Sequence, residues 1–288
     1  LFGLLNLHKP SGCTSRDVVN RVQKLVRPQK VGHAGTLDPL ASGVLIVAIG
    51  GATRLIEYVQ QQPKSYRATF LLGRHSDTED VEGNVVELDG SPTPSQSEVD
   101  EVLPGFLGDI QQMPPAYSAL KVGGQRAYAL ARCGQEVKLE ARPVTIHALR
   151  LVAYDYPSLQ LEIACSSGTY VRSLGRDLAR ALGTEAVMSA LVRTAIGPFQ
   201  LADAVAADDL TVESLAKRLL PASAAVQQLP RLELTHGEVT ELLFGRPLRR
   251  AGVPSASEFA AFDQAGELVA ILQSQGDKLA PSRVFVSQ

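Results

Sequence analysis

The sequence predicts an α+β fold, with a mixed, mainly antiparallel central sheet, flanking helices and a small β-rich C-terminal module. Three observations lead there. Strand-like and helix-like segments follow one another without the regular βαβ alternation that a parallel sheet requires. A hydrophobic content of 45% supports a real core, and 20% charged residues argues against general disorder. A length of 288 residues suits one large domain with a small companion. The longest apolar run, around Val44 to Ile49, is far short of the roughly 20 residues of a membrane span. No basic-then-apolar leader opens the chain. Cys13, Cys133 and Cys165 are isolated, with no C-x-x-C pair. That pattern fits a reducing cytoplasm and excludes the usual zinc framework.

The elements follow in order. Leu1–Leu7 reads as a short apolar strand. Thr14 or Ser15 then caps a helix whose Val18, Val19, Val22, Leu25 and Val26 form one face, stopped near Pro28. A strand over Val44–Val47 precedes a helical stretch, Ala52–Gln61, and "KSYRATFLL", Lys64–Leu72, is a second strand. Gly83-Asn84 introduces a short strand at Val85–Leu88, and Ser95 with Glu98 makes a capping box before Val99–Phe106. "GGQRAYALARCG" reads as a turn and then a helix ended by Gly134. Arg142–Asp155 and Leu159–Cys165 form paired strands. Thr169–Leu182 is a helix with Leu174, Leu178 and Leu182 in register and Gly183 as its stop. A second domain begins at Leu229, giving 1–228 and 229–288. It holds a helix over Thr235–Phe244, a hairpin turning at Gln264–Gly266 and a terminal strand, "SRVFVSQ". A β-rich unit of that size is marginal alone and should dock on its neighbour.

Net charge is −2, but it is unevenly placed. His75 to Leu120 carries ten acids and no Lys or Arg; removing that segment leaves +8 on the rest. A polyanion suits the basic remainder, with the acidic segment expected to face away.

"VGHAGTLDPLASGVL", Val31 to Leu45, sets one carboxylate, Asp38, among three glycines and a proline. Pro39 biases Asp38 toward extended backbone, so the loop aims the acid or simply makes an Asp-Pro turn. Tyr66 alternates along an apolar strand, where packing is the ordinary reading. Arg172 lies on a helix, where a surface pair with Asp177 or Glu185 is the simple explanation. His33 and Asp38 lack a third ligand at metal-binding spacing.

Taken together, "LHKPSGCTS" (7–15), "GHAGTLDPLASGVL" (32–45), "KSYRATFLLGRHSDTED" (64–80), "MPPAYSALKVGGQRAYALARCG" (113–134) and "CSSGTYVRSLGRDLA" (165–179) resemble the bacterial TruB family of tRNA pseudouridine synthases. The resemblance runs from about Leu4 to Phe199. It implies that Asp38 is the catalytic aspartate, Tyr66 the residue stacked on the target base and Arg172 the partner of the aspartate. It also implies substrate-binding roles for Lys9, His33, Tyr170 and Leu191, with Lys9 packed near the tyrosine and His33 inserted where the uridine leaves the T loop. Departures at Ala34, Thr36 and Ser167 remove no catalytic residue type. The implied reaction isomerises uridine 55 of the tRNA T loop, with no metal or organic cofactor and no protein partner. The chain is expected to be a cytoplasmic monomer, its C-terminal module PUA-like and RNA-binding.

The chemistry makes sense of these residue types. Breaking the N1–C1′ bond develops positive charge on the sugar, which a carboxylate stabilises or traps; alternatively the carboxylate removes a C2′ proton. Either role needs an ionised Asp38, and a bidentate guanidinium keeps it charged and oriented. A tyrosine face retains the detached uracil. Rival readings are a guide-RNA-dependent synthase of the dyskerin type and a non-catalytic RNA-folding module. A third, a glycosidase, needs a second carboxylate, for which Asp77, Glu79 and Asp80 are candidates.

Overall fold

The computed structural model describes residues 1–118, 120–122, 124–132, 139–250 and 254–285. Cys133, Gly134 with its expected helix stop, and the last three residues of the terminal strand lie outside them.

Strands β1 (Gly3–Lys9), β2 (Val31–Ala34), β3 (Ser42–Ile49) and β4 (Lys64–Leu72) come first. They are followed by β5 (Gly108–Gln112), β6 (Arg142–Asp155), β7 (Ser158–Cys165) and β8 (Ala186–Ile196). All join one mixed sheet, in which β1, β3, β8, β4, β7, β6 and β5 are successive neighbours and β2 lies on β3. Among these eight, the pairings are antiparallel except between β3 and β8. The mainly antiparallel sheet is as expected. Its central strand is not signalled by sequence pattern: Ala186, Met188, Ala190 and Leu191 are good helix formers. Arg193, buried at 1% exposure, also interrupts the apolar run.

Helix α1 (Ser15–Val26) starts where its cap predicts. The Thr14 hydroxyl accepts from Asp17 N, and the Asp17 carboxylate accepts from Thr14 N. Its valines pack on Leu5, Leu7, Leu45 and Val47. The expected helix at Ala52–Gln61 is a 3₁₀ turn, Gly50–Leu55, running into α2 (Ile56–Gln61). Helix α3 (Gln96–Val102) has the Ser95–Glu98 capping box, and α4 spans Ala127–Arg132. Helix α5 covers Val171–Ala181, starting two residues later than expected because Thr169 and Tyr170 precede its first turn. Its Leu174 and Leu178 are fully buried against Phe70, Leu161 and Met188. Helix α6 (Val212–Arg218) is the last α-helix before the C-terminal module.

The C-terminal module forms its own sheet from β9 (Arg231–Glu233), β10 (Leu248–Arg249), β11 (Glu258–Phe262), β12 (Leu268–Gln275) and β13 (Lys278–Val284). The order is β9-β11-β12-β13-β10, and helix α7 (His236–Leu243) is capped by Thr235. Phe262, Leu268 and Ile271 share a buried cluster with Ile46, Leu55, Tyr58 and Val59 of the larger half. The Tyr58 hydroxyl donates to Glu258 and accepts from Arg283 across this junction, and burial pushes its pKa up to about 12. The module is docked, as its size required. No helix among the described residues is long and apolar enough to cross a membrane.

Candidate active site

Asp38 sits in the connection between β2 and β3. Its carbonyl accepts from Ala41 N at 3.1 Å, so the Asp-Pro turn and the aimed carboxylate are one feature. The turn is strapped to the segment after β1. Ser15 Oγ bonds both Leu37 N (2.9 Å) and Leu37 O (3.2 Å), Ser11 Oγ donates to Leu40 O (2.8 Å), and Gly12 N donates to Pro39 O (2.8 Å). Lys9 adds to this strap. Its fully buried ammonium donates to Cys13 O (2.6 Å), Pro10 O (2.9 Å) and Pro39 O (3.4 Å). Burial lowers its pKa, while nearby Cys13 and Asp38 oppose that shift.

From below, Arg193 of β8 donates to Val44 O (2.8 Å), Gly35 O (3.1 Å) and Thr36 O (3.5 Å). Its cross-strand neighbour on β4 is Tyr66, and the two side chains act on each other electrostatically. Close contact here requires Gly43, whose φ is +108° and whose Cβ would lie 2.2 Å from Arg193 O. Burial raises the Tyr66 pKa, with Arg193 pulling the other way.

The Asp38 carboxylate is 41% exposed, and Arg172 Nη2 approaches it at 3.2 Å. Arg172 is itself buried, with Nη1 donating to Thr78 O (2.6 Å) and facing Asp80 Oδ2 (3.4 Å), while Nη2 donates to Tyr117 O (3.0 Å). The surface pairs considered for it belong to its neighbours: Asp177 pairs with Arg176, and Glu185 with Arg180. A cavity of about 800 Å³ opens here, lined by Asp38, Tyr66, Asp80, Tyr170, Arg172 and Leu191 among others. Tyr170 precedes α5, locked by Gln112 through its backbone N (2.8 Å) and O (3.1 Å).

Five of the seven expected site residues therefore meet at one cavity. Lys9 does not line it; the ammonium braces the Asp38 turn from inside. His33 is also outside the wall, on strand β2 rather than in the loop, and burial lowers its pKa so that it favours the neutral form. The acidic segment does not face away, contrary to expectation: Asp80 and Glu82 line the cavity, because Arg172 draws Asp80 inward. Asp80 is not a free second acid of the glycosidase kind. Its side chain is 5% exposed, and Oδ1 accepts from Thr78 Oγ1 (2.6 Å) and Glu82 N (3.1 Å). Arg193 was not legible as a site residue, since a lone arginine in an unsignalled strand has no local signature. Among the described residues, no group of three or more His, Cys, Asp or Glu side chains is arranged to hold a metal ion.

A carboxylate paired with a buried arginine, beside a tyrosine-walled cavity over a mixed sheet, defines a pseudouridine synthase, an isomerase. Two solved structures share the fold across 99% of this chain. One, titled "Crystal Structure of a Cbf5-Nop10-Gar1 Complex", superposes with a TM-score of 0.77 at 26% identity over 85% of that chain. The other, an H/ACA RNP bound to a substrate RNA containing 2′-deoxyuridine, gives 0.75 at 25% identity over 86% of that chain. The chain belongs to the TruB family of pseudouridylate synthases, whose N-terminal domain profile matches residues 23–171. The profile of the tRNA pseudouridylate synthase B C-terminal domain matches 172–227, and that of the tRNA pseudouridine synthase II C-terminal region matches 229–286. Similar relatives include the tRNA pseudouridine synthase B of an Arthrobacter strain, 43% identical over 99% of this chain and 97% of that protein. That of Corynebacterium aurimucosum is 40% identical over 99% and 96%, and that of Mycobacterium tuberculosis 40% over 96% and 93%.

Proposed function

We propose that this chain isomerises uridine 55 of the tRNA T loop to pseudouridine, alone and without a guide RNA. The observation that carries this reading is the half-exposed Asp38 carboxylate, held by Arg172 at a cavity walled by Tyr66 and Leu191.

The target base must leave its stack to reach such a cavity, at a cost of a few kcal/mol. Tyr66 and Leu191 then hold the uracil between an aromatic face and an aliphatic one, a contact worth about 1–3 kcal/mol for the ring. Arg172 pairs with the Asp38 carboxylate and fixes its direction. Asp38 assists loss of the N1–C1′ bond either as nucleophile, its ester to C1′ breaking as C5 bonds there, or as base, its proton from C2′ being returned as C5 bonds to C1′; between these steps the uracil turns within the cavity. The C5 proton is lost and N1 gains one, so atoms balance and no electrons are exchanged. His33, beside Gly32 on β2, is placed by resemblance to fill the space left in the T loop. The division at 228/229 assigns catalysis to the first part and contacts to the remote body of the tRNA to the second. Isolated thiols and an RNA substrate suit a cytoplasmic monomer.

A guide-dependent reading has one observation in its favour, the similarity to a chain solved within an H/ACA RNP. Whole-length identity of 40–43% to tRNA pseudouridine synthase B proteins favours stand-alone action. The test incubates purified protein with unmodified tRNA and maps pseudouridine at single-nucleotide resolution, with Asp38→Asn in parallel. Modification at position 55 by the wild type, with turnover down about 10³-fold or more in Asp38→Asn at an unchanged melt, is the expected result. Product only with added guide RNA, or an active Asn variant, overturns the reading.

A further inference from the structure

Glu79 is the one non-glycine residue, among those described, in the left-handed region, with φ +62°. A residue with a Cβ stays there only when its surroundings hold it. Two sets of contacts do so. Met188 N of β8 donates to Glu79 O at 3.0 Å, and Val81 N returns a bond to Met188 O at 3.1 Å. On the side-chain end, one Glu79 oxygen pairs with Arg176 Nη1 and the other accepts from Ser173 Oγ at 3.0 Å. The ion pair is largely buried, at 13% and 9% exposure. The remaining Arg176 donors reach Asp177 (2.8 Å) and Met113 O (2.9 Å).

The residues on either side of Glu79 are Thr78 and Asp80, and both face Arg172. Arg172 and Arg176 lie one turn apart on α5. The lower arginine therefore grips the centre of a tight loop whose two shoulders grip the upper one. We propose that Glu79 and Arg176 form a latch that positions Arg172, and through it the Asp38 carboxylate, for the isomerisation. Released from Arg176, Glu79 keeps only the Met188 backbone bonds and Ser173 Oγ to hold it left-handed; the loop relaxes, and Thr78 O and Asp80 shift away from the Arg172 guanidinium. Glu79 and Arg176 are positioning residues, and neither lines the cavity. The inference rests on the roles assigned above to Asp38 and Arg172.

A mere staple between loop and helix would also lower stability, so the deciding measurement is a double-mutant cycle on turnover. Wild type, Glu79→Gln, Arg172→Lys and the double variant are assayed on T-stem-loop RNA, each well below its own melting temperature, with Asp38→Asn as reference. Glu79→Gln is expected to lower kcat about tenfold or more with KM within about twofold. The double variant should be no slower than Arg172→Lys alone, because the latch acts only through that guanidinium. If Glu79→Gln fails to fold, Arg176→Gln takes its place in the cycle, removing the cation that pairs with Glu79 while keeping an amide donor on the same stem. Losses that multiply, a normal kcat in the latch variant or a change in KM alone overturns the latch. Turnover by Asp38→Asn would instead sink the reading of the site on which the latch rests.

Discussion

Arg193 braces the candidate site with one side chain. Its guanidinium reaches the carbonyls of Gly35 and Thr36, just before Asp38, and its charge acts on the phenol of Tyr66, its cross-strand neighbour. Burial raises the phenol pKa, so Tyr66 is neutral at physiological pH and better suited to a hydrogen-bonding wall than to a base. Tyr66→Phe keeps the ring but removes the hydroxyl that favours the buried Arg193 charge. Both melting temperature and turnover should fall. Tyr66→Ala loses the stacking face as well, a further 1–3 kcal/mol or about 5- to 150-fold in rate, with tRNA affinity largely preserved by phosphate contacts. Single-turnover rates and melts of the two variants check this; a Phe variant with normal rate and normal melt would show the hydroxyl idle.

At the scale of elements, α5 matters most, because it carries Arg172, Ser173 and Arg176 to the sheet. Its closest approach is at Gly175, where a Cβ would lie 2.0 Å from the Phe70 ring of β4. Helix propensity alone favours alanine there by about 1 kcal/mol. Overpacking against the aromatic ring costs about 1–3 kcal/mol and more where the ring cannot turn aside. Gly175→Ala is therefore expected to destabilise the protein and to reduce kcat, since any outward shift of α5 carries Arg172 away from Asp38. Denaturant melts with steady-state rates decide it. A more stable variant of normal activity would mean that Phe70 swings clear.

For the whole molecule, the shared apolar cluster changes how the C-terminal module can be tested. Cutting the chain at 228/229 would remove Phe262, Leu268 and Ile271 from the buried cluster they share with Ile46, Leu55 and Val59, exposing apolar surface. Such a truncation is expected to aggregate, whatever the module binds. The outer face is the better target. Arg246 and Arg249 are 62% and 73% exposed, and Phe244 is 71% exposed beside them. Replacing Arg246 and Arg249 by Gln should raise KM for whole tRNA and flatten its logarithmic salt slope by about 0.7–0.9 per lost phosphate contact. An isolated T-stem-loop should be converted as before. Equal losses on both substrates would remove the module from tRNA binding.

The chemistry was legible in the chain itself. Asp38, Tyr66 and Arg172 stand in local motifs whose turn, strand and helix signals are short-range, and the capping boxes at Thr14, Ser95 and Thr235 sit where the helices begin. Local backbone preference and side-chain periodicity need no distant partner. What only the tertiary structure decided are the pairings between segments far apart in sequence. These include β8 between β3 and β4, Lys9 folded under Pro39, and Asp80 and Glu79 turned inward onto α5. A buried charge is stable only beside groups that answer it. For Arg172 and Arg193 those groups come from other strands and loops, and for Arg176 all but the adjacent Asp177 do, so no window of sequence contains the full reason they are buried.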